Sequence, residues 1–551
     1  MPESRWIFML AVLLVGGYAS ADGWQIVPLE EQGSTGEYTS IALDSNDYPH
    51  IAYYNNTEGG LKHAWWDGDT WQLEMVEAGD NVGWWTSIAI DSNDYPHISY
   101  YDYYNSALKY AWWDGAAWNT VFIDSEGYVG DYTSLALDSD DNPHLSYRYY
   151  VTYGDTELKY GWYDGSSWTL QTVDDYGESG AWTSIDIDSL DHPHIAYFEG
   201  SDDDLRYASH DGSSWNTETV ISSGQVGLWL SMVLDSGDNP HISYCDYDNH
   251  DLEHAWWDGA DWQTEVVDDA YVGWYTSIAV DGDDHIHISY YDLSLEDLKY
   301  AYFNGTDWEV ETVHSQYSVG SYSSIATDTT GNPYMSYEYS WYGDLYCAWY
   351  NVAPAGFELL SPAHNSNVND PPTLDWEDSD DGGQHAVTYD LWYSTDPDFS
   401  PHDEVNDLTG STYTFSEGDL TPGQTYHWKV AATDGYEQTW CTAPGGGGSD
   451  EYWTFTVNYM GVEPDTPGDP SRGLVVSGNP GGGRVRILGT GFGPDAILRI
   501  YDVSGREILR TAFDGIYTCG GSGLPSGCYV VEVRDTGGEP CTARLVLLDR
   551  W

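Results

Sequence analysis

The chain of 551 residues carries 91 acidic against 17 basic side chains, a formal net charge of −74. That balance excludes nucleic acid as a partner, because binding a phosphate backbone needs clustered Lys and Arg. From residue 471 onward nine Arg stand against eight acids, so the acidity belongs to the first 470 residues. There it serves either dispersal in water or calcium binding by Asp-rich turns. No twelve-residue Asp-x-Asp-x-Asp-Gly loop ending in Glu is present, which favours dispersal: no cofactor is expected, calcium being the candidate that the turns leave open.

Residues 1–21 carry Arg5, an apolar run from Trp6 to Val15 and the small residues Ala19, Ser20 and Ala21. They read as a secretory signal peptide cut before Asp22, which places the expected protein outside the cell or on its outer surface. No later run approaches the roughly 20 apolar residues of a membrane-spanning helix, so no transmembrane anchor is expected.

Residues 22–352 repeat one phrase seven times. An aromatic-Thr-Ser-Ile-Ala run leads to Asp-x-Pro-His-Ile-Ser-Tyr, then to Leu-Lys-Tyr-Ala-Trp-Trp-Asp-Gly, then to a Trp opening a Thr-x-x-Val segment. The histidine recurs at His50, His97, His144, His194, His241 and His287, with Tyr334 in the seventh slot, at spacings of 47, 47, 50, 47, 46 and 47. Four strand-like runs per unit, here Ile88–Asp91, His97–Tyr101, Leu108–Trp113 and Trp118–Ile123, are separated by Asp, Asn, Gly and Pro punctuation. A period of this length with four short strands predicts a β-propeller blade, with strands a to d as an antiparallel meander.

The register at the two ends predicts closure. In five of the six internal repeats the strand-d Trp precedes the next His or its substitute by 26 residues, as Trp71 does His97, and from Trp262 to His287 it is 25; Trp24 precedes His50 by 26. Position 355, where the last unit should have its Trp, is Ala. The last blade therefore lacks strand d and the amino-terminal Trp24–Val27 segment supplies it, giving seven blades.

Insertions in repeat proteins collect on one face. The third unit is longer between Arg148 and Glu157 and the fifth-to-sixth junction is shorter between Trp262 and Gly273, so the loops joining b to c and d to a form the variable face. On it, the Gly-x-aromatic motif before strand a supplies Tyr38, Trp85, Tyr132, Trp182, Trp229, Tyr275 and Tyr322. After strand b stand Asn55, Asp102, Tyr149, Glu199, Asp246, Asp292 and Tyr339. Aromatic faces beside carboxylates suit sugar rings, so the expected ligand-binding residues are Trp85, Asp102, Tyr132, Trp182, Glu199, Trp229, Asp246, Tyr275 and Asp292. A structural reading stands beside this one: the seven aromatics fill the wedges between blades. The Trp pairs Trp65–Trp66 and Trp112–Trp113 are expected in the core. The repeated His and the a-to-b turn acids, such as Asp44 and Asp91, are expected to satisfy turns and backbone amides rather than to hold metal.

The Trp-Trp-Asp-Gly-x-x-Trp hairpin faintly resembles the Asp-box turn of sialidase-type propellers, without its flanking Ser and Thr. That resemblance implies a triad of arginines for a substrate carboxylate, and the ring holds only Arg148 and Arg206. No Gly-x-Ser-x-Gly, His-Glu-x-x-His or phosphate loop is present.

Residues 353–458 contain Trp376, the Leu420–Tyr426 turn Leu-Thr-Pro-Gly-Gln-Thr-Tyr and the strand Trp-Lys-Val-Ala-Ala from Trp428. These resemble a fibronectin type III domain, which implies a small β-sandwich, with Gly445–Gly448 as an added loop. A linker, 459–472, follows. Residues 473–551 carry Ile500-Tyr-Asp-x-x-Gly-Arg506, Ser526-Gly-x-Tyr529 and Arg544-Leu-Val-Leu-Leu548. They resemble a type IX secretion sorting domain, which implies the type IX export machinery as a partner. Arg544 stands where Lys is common in that family, and Cys519, Cys528 and Cys541 are unusual there. Cys519 and Cys528 are close enough to staple one loop; no other pairing follows from spacing.

The expected fold class is all-β: a seven-bladed β-propeller closed by an N-terminal strand, followed by two small β-sandwich domains. The expected function is non-catalytic binding of an extracellular glycan or other surface polymer. A polysaccharide hydrolase or lyase using mouth carboxylates such as Asp102, Asp246 or Asp292 is the alternative, and a surface-layer or adhesion protein contacting other proteins a third.

Overall fold

The computed structural model describes residues 23–457 except 32, 80, 153, 270, 369–370, 382–385, 417–418, 422, 435–437 and 442–451. It also describes 473–547 except 480–483, 491–495, 503–505, 513–515, 521–526 and 535–540. The expected signal peptide, the linker and the Gly445–Gly448 loop lie outside the described residues. Among the described residues every regular element is a strand, and no helix is long and apolar enough to cross a membrane. The chain divides into two compact units, Asp22–Val352 and a second that begins at Ala353.

The first unit contains seven four-stranded antiparallel sheets, each in the order a-b-c-d. The second sheet, for example, comprises Val82–Ile90, Pro96–Asp102, Ala107–Trp113 and Trp118–Asp124. The seventh has the order Gly23–Glu30, Asp344–Asn351, Pro333–Tyr339, Ser321–Thr327, with Trp24 opposite Tyr350. Strand a of each sheet touches strand a of the next, and strand a of the seventh touches that of the first. Sheets arranged in such a ring, with one strand of each innermost, make a β-propeller.

Strand a is longer than its apolar run suggests. Pairing with strand b resumes on the far side of the Gly-x-aromatic motif, with register shifts between Val82 and Trp84 and between Trp84 and Ser87. A bulge absorbs extra residues and re-aims a side chain. The glycine of each motif has positive φ, from 84° at Gly36 to 109° at Gly83, and its strand runs hard against the preceding sheet. A Cβ placed on it would lie 2.6 to 3.1 Å from the Cα of a strand-c leucine there, Leu61 for Gly83 and Leu108 for Gly130.

Between sheets the deepest side chains are the strand-b tyrosines Tyr53, Tyr100, Tyr147, Tyr197, Tyr244, Tyr290 and Tyr337, all 0 % exposed. A buried hydroxyl needs a partner. Five of them donate to an acid at the end of strand d in the preceding sheet: Tyr53 to Glu30 at 2.7 Å, Tyr147 to Asp124 at 3.1 Å, Tyr197 to Asp174 at 2.5 Å, Tyr290 to Asp268 at 2.7 Å, and Tyr100 to Glu77. Lys62, Lys109, Arg206 and Lys299 pair with four of the same acids. Where strand d offers Ile221 instead, the strand-c base is replaced by Glu253, which accepts from Tyr244. Where it offers His314, that ring meets Tyr337 at 2.9 Å.

On the constant face, each a-to-b turn acid accepts backbone amides, as Asp91 does from Asn93 and Tyr95. The serine or threonine after it bonds to an aspartate of the next sheet, Ser45 to Asp94 through to Thr329 and Asp47, which joins the last sheet to the first. One junction differs: Gly282 stands where the hydroxyl would be and Gly331 where the aspartate would be. The repeated histidines contact strand c through Nδ1, as His287 does Tyr300 at 2.7 Å. Burial lowers the pKa of His97, His144, His194 and His287, and takes that of His241 down to about 4. Among the described residues no group of three or more His, Cys, Asp or Glu is placed to hold a metal ion. The Trp pairs depart from expectation: Trp65, Trp66, Trp112 and Trp113 are half-buried, because the core positions belong to the tyrosines and Trp65 instead stacks on His63. Cys245 and Cys347 are buried free thiols.

In the second unit, Leu359–Ser361, Thr373–Trp376 and Thr412–Thr414 form one sheet. Ser366–Val368, Trp453–Val457, Thr425–Thr433, Thr388–Ser394 and Asp403–Leu408 form another, with Gln438–Trp440 beside Thr425–Thr433. The two share one core around Trp376, Trp428, Leu391 and Phe455. Two further sheets lie between Gly473 and Leu547.

Replacing Gly130 by Ala puts a methyl 2.6 Å from Leu108 Cα at φ 105°. It should lower unfolding free energy by about 3 kcal/mol or more. Gly259→Ala, at φ 91° with nothing within 4 Å, should cost about 1 kcal/mol. Chemical denaturation of both isolates the close approach from the backbone strain; equal losses would show that the approach contributes nothing.

Candidate ligand-binding mouth

The seven motif aromatics are in the left-handed backbone region, with φ from 46° at Trp182 to 54° at Tyr322. Non-glycine residues rarely adopt it. The bulge turns each side chain from its own sheet toward the axis, and together they close a ring. Neighbouring centroids are 5.3 Å apart for Tyr38–Trp85, 5.0 Å for Trp85–Tyr132, 5.2 Å for Tyr132–Trp182 and 5.6 Å for Trp182–Trp229. The circuit is completed by Trp229–Tyr275 at 6.0 Å, Tyr275–Tyr322 at 4.6 Å and Tyr322–Tyr38 at 4.7 Å. All seven line one cavity of about 170 Å³. Its wall continues with the next residue of each strand, six Thr or Ser and Leu230, whose hydroxyls are largely spent on neighbouring sheets, as Thr276 donates to Ser243 at 2.8 Å.

The residue between glycine and aromatic is where the sheets differ: Glu37, Trp84, Asp131, Ala181, Leu228, Trp274 and Ser321. These divide the mouth into arcs. Trp274, on the sixth sheet, stacks on Trp229 at 4.3 Å, and Trp84, on the second, lies against Tyr103 at 4.6 Å with its indole N–H buried and unbonded, so the two flank the seventh and first sheets. Beside Tyr132, Arg148 is bound to Asp131 through both Nε, at 3.2 Å, and Nη2, at 2.5 Å. Its guanidinium lies 4.5 Å from the centre of the Tyr132 ring and 4.4 Å from that of Tyr150. Burial raises the pKa of Asp131 despite the opposing pull of Arg148.

The third arc is acidic and phenolic. Tyr322 stands between Tyr38 and Tyr275, with ring centroids 4.7 and 4.6 Å away, and burial raises the pKa of all three. The charges of Glu37 and Glu338 act on Tyr322. Glu338, on strand b of the seventh sheet, is 7 % exposed and accepts a hydrogen bond from Ser340 at 2.8 Å. Burial, with repulsion from Glu37 and Asp344, pushes its pKa up to about 7 against the pull of that hydrogen bond.

The expected site residues therefore part company. Trp85, Tyr132, Trp182, Trp229 and Tyr275 come together at the cavity. Asp102, Glu199, Asp246 and Asp292 do not line it, because each is buried as the cap of its own b-to-c turn. Asp102 accepts from the Asn105 amide at 2.9 Å, Asp246 from that of Asn249 at 3.0 Å and Asp292 from that of Leu295 at 2.9 Å. Glu199 accepts from the amides of Ser201 and Glu178, each at 2.8 Å. An acid two or three residues before a free amide forms the turn, and that local bond takes the lone pairs a ligand would need. Glu37, Trp84, Asp131, Arg148, Trp274 and Glu338 were not anticipated; variation at the middle position of Gly-x-aromatic was the available signal for four of them. Around the cavity, Tyr104, Tyr128, Tyr176, Tyr271, Tyr317 and Trp341 stand exposed in or beside the b-to-c and d-to-a loops, and Tyr317 stacks on Trp341 at 5.8 Å.

No protein-family model matches the sequence, and no curated protein matches it. Among solved structures the chain is similar to the Aleuria aurantia lectin in complex with α-methyl-L-fucoside, at 13% identity and a TM-score of 0.38 over 52% of this chain and 98% of that one. A polysaccharide lyase described as a PL25 ulvan lyase is similar at 13% identity and 0.41, over 60% of this chain and 94% of that one. A Hadza microbial sialidase is similar at 9% and 0.33, over 56% and 64%. At these identities and scores the likenesses assign no residue, ligand or reaction.

Raising a carboxyl pKa means that the folded state holds the proton more tightly, so Glu338 favours folding at low pH and that contribution is lost as pH rises through about 7. Glu338→Gln, neutral throughout, should unfold at higher temperature than the wild type at pH 8, by up to about 3 kcal/mol of stability, and match it near pH 4. Melting curves at both pH values test this; a Gln variant less stable at pH 8 would refute it.

Proposed function

We propose that the first unit is a seven-bladed propeller, closed by its amino-terminal strand, that binds extracellular carbohydrate at its axial mouth without turning it over. The observation that carries this reading is the ring: seven aromatic side chains, each held in a costly backbone conformation, line one cavity, although Tyr132, Trp182 and Trp229 also pack against the core between sheets. Sugar C–H faces stack on such rings while hydroxyls bond to phenols and acids. A cavity of about 170 Å³ is below the few hundred Å³ typical of larger ligands, so a single sugar ring enters and the rest of a polymer lies over the exposed aromatics outside.

Glycan-array binding by the wild type, lost at least tenfold in Trp182→Ala and Trp85→Ala with the fold retained by circular dichroism, is the expected result. Binding to no glycan, or binding indifferent to both substitutions, would refute the reading. Asp102→Asn and Asp246→Asn should lower thermal stability and leave glycan binding unchanged.

One observation favours a second reading, a polysaccharide hydrolase or lyase: Glu338, with a pKa of about 7, has the proton affinity of a general acid or base. Its acid would then be Glu338, not the turn-capping aspartates. Sugar release from polysaccharide mixtures, abolished by Glu338→Gln, separates catalysis from binding.

For the second unit we propose a fibronectin type III-like β-sandwich over 353–458 and a type IX sorting domain over 473–551, joined by the 459–472 linker. Three strands facing a larger sheet across one core support the former. The protein is then exported to the outer surface. Deleting 473–551 in a bacterium with type IX export should trap the propeller in the periplasm; unchanged export would refute the assignment.

A further inference from the structure

The mouth is electrically one-sided in a way that a neutral sugar does not require. Glu37 precedes Tyr38 in the chain, Glu338 pairs with Ser321, the residue before Tyr322, and the charges of both act on Tyr322 at the centre of the phenolic arc. Glu338 is nearly buried with Ser340 as its hydrogen-bond donor. The charged and titratable groups around it are Glu37 on the first sheet, Tyr275 on the sixth, and Tyr322 and Asp344 on the seventh. None is a base.

The bases of the propeller are committed elsewhere. Arg148, the base at the mouth, is held at two points by Asp131 and lies between the Tyr132 and Tyr150 rings. Lys62, Lys109, Arg206 and Lys299 are paired with acids between sheets, and Lys159 lies over Tyr149. A uronic acid or sulfated sugar would thus meet acids at this mouth and no available cation among the described residues. A cation meets the opposite: the negative faces of a closed aromatic ring, two carboxylates at its edge, and the field of a chain with net charge −74 that concentrates cations around it.

We infer that the sugar taken by the axial ring carries a protonated amino group, so that its ligand class is the free amino sugars and their oligomers rather than neutral, N-acylated or acidic glycans. The inference rests on the carbohydrate reading proposed above and deepens it. In this arrangement the aromatic ring receives the sugar face and its Glu37–Glu338 edge receives the ammonium group. Entry of the cation favours the ionised form of Glu338, so binding of a cation whose charge is fixed releases a proton and weakens as pH falls, whereas a sugar amine can take up that proton itself.

The test is calorimetric titration of the full chain at pH 8 and pH 6 with glucosamine oligomers, N-acetylglucosamine oligomers, glucose oligomers and galacturonate oligomers. Tetramethylammonium serves as a probe whose charge does not depend on pH. Expected are affinity at least tenfold higher for glucosamine oligomers than for their N-acetyl counterparts, and competition by tetramethylammonium. The tetramethylammonium affinity should fall from pH 8 to pH 6 in the wild type and stay level in Glu338→Gln. Glu37→Gln should lower amine affinity by a larger factor than glucose affinity, which keeps the test open should Glu338→Gln perturb the fold. Amine binding that persists in Trp182→Ala would be attraction to the acidic surface, and equal or tighter binding of neutral or acidic oligomers would show no charge preference. Either overturns this inference; the second leaves the carbohydrate reading standing. If no saccharide of any charge binds, the carbohydrate reading falls and this inference with it.

Discussion

The mouth exists because seven positions have no side chain. At each junction strand a runs so close to the preceding sheet that a β-carbon on its glycine would fall within 2.6 to 3.1 Å of a leucine Cα. That approach draws the inner strands together around the axis, and the positive φ of the glycine begins the bulge that the next two residues complete. The aromatic two places on is then carried into the left-handed region and aimed inward. Packing of the ring and geometry of the site are consequences of the same missing atom, so neither can be altered alone.

The outer half of each junction is held by a different logic, in which the buried tyrosine hydroxyl is constant and its partner changes. Five strand-d acids serve it, four with a base alongside. Where strand d has Ile221 the acid appears on strand c as Glu253, and where it has His314 the imidazole takes over. Such replacements keep the hydroxyl satisfied while changing the local charge, as expected when an unpaired buried polar group costs more than any particular pair contributes. They also leave nearly every base of the propeller occupied, which is why the mouth can be acidic without internal compensation.

Much of the architecture was legible because it repeats. The 47-residue period and the turn punctuation carry the repeated four-stranded sheets, and the displaced Trp24 segment points to the pairing of Gly23–Glu30 with Asp344–Asn351. The aromatic ring was legible as a set of residues and not as a place, since Gly-x-aromatic is compatible both with a wedge between sheets and with a lining; in the fold Trp182 does both, packing between the fourth and fifth sheets and lining the cavity. The acids of the b-to-c turns were misplaced for a related reason. Asp102, Asp246 and Asp292 are near the mouth in sequence, but a backbone amide two or three residues away is always nearer than a ligand. Glu338 was hidden because it interrupts a register occupied elsewhere by Tyr54, Tyr101, Arg148, Phe198, Cys245 and Tyr291, which share no chemistry that a repeat could announce.

The seventh sheet pairs Gly23 with Asn351, so its two halves leave the ribosome more than three hundred residues apart. Six sheets can hydrogen-bond internally as soon as each is made, from contacts local in sequence, whereas the last waits for a loop closure spanning the whole unit. Such distant pairing is the slow step in folding. Until it occurs, the outer edge of strand c in the seventh sheet, Asp344–Asn351, has its backbone donors and acceptors open. A molecule in which that pairing has not formed is therefore an unfinished arc with an open edge, and the segment that covers the edge is Gly23–Glu30.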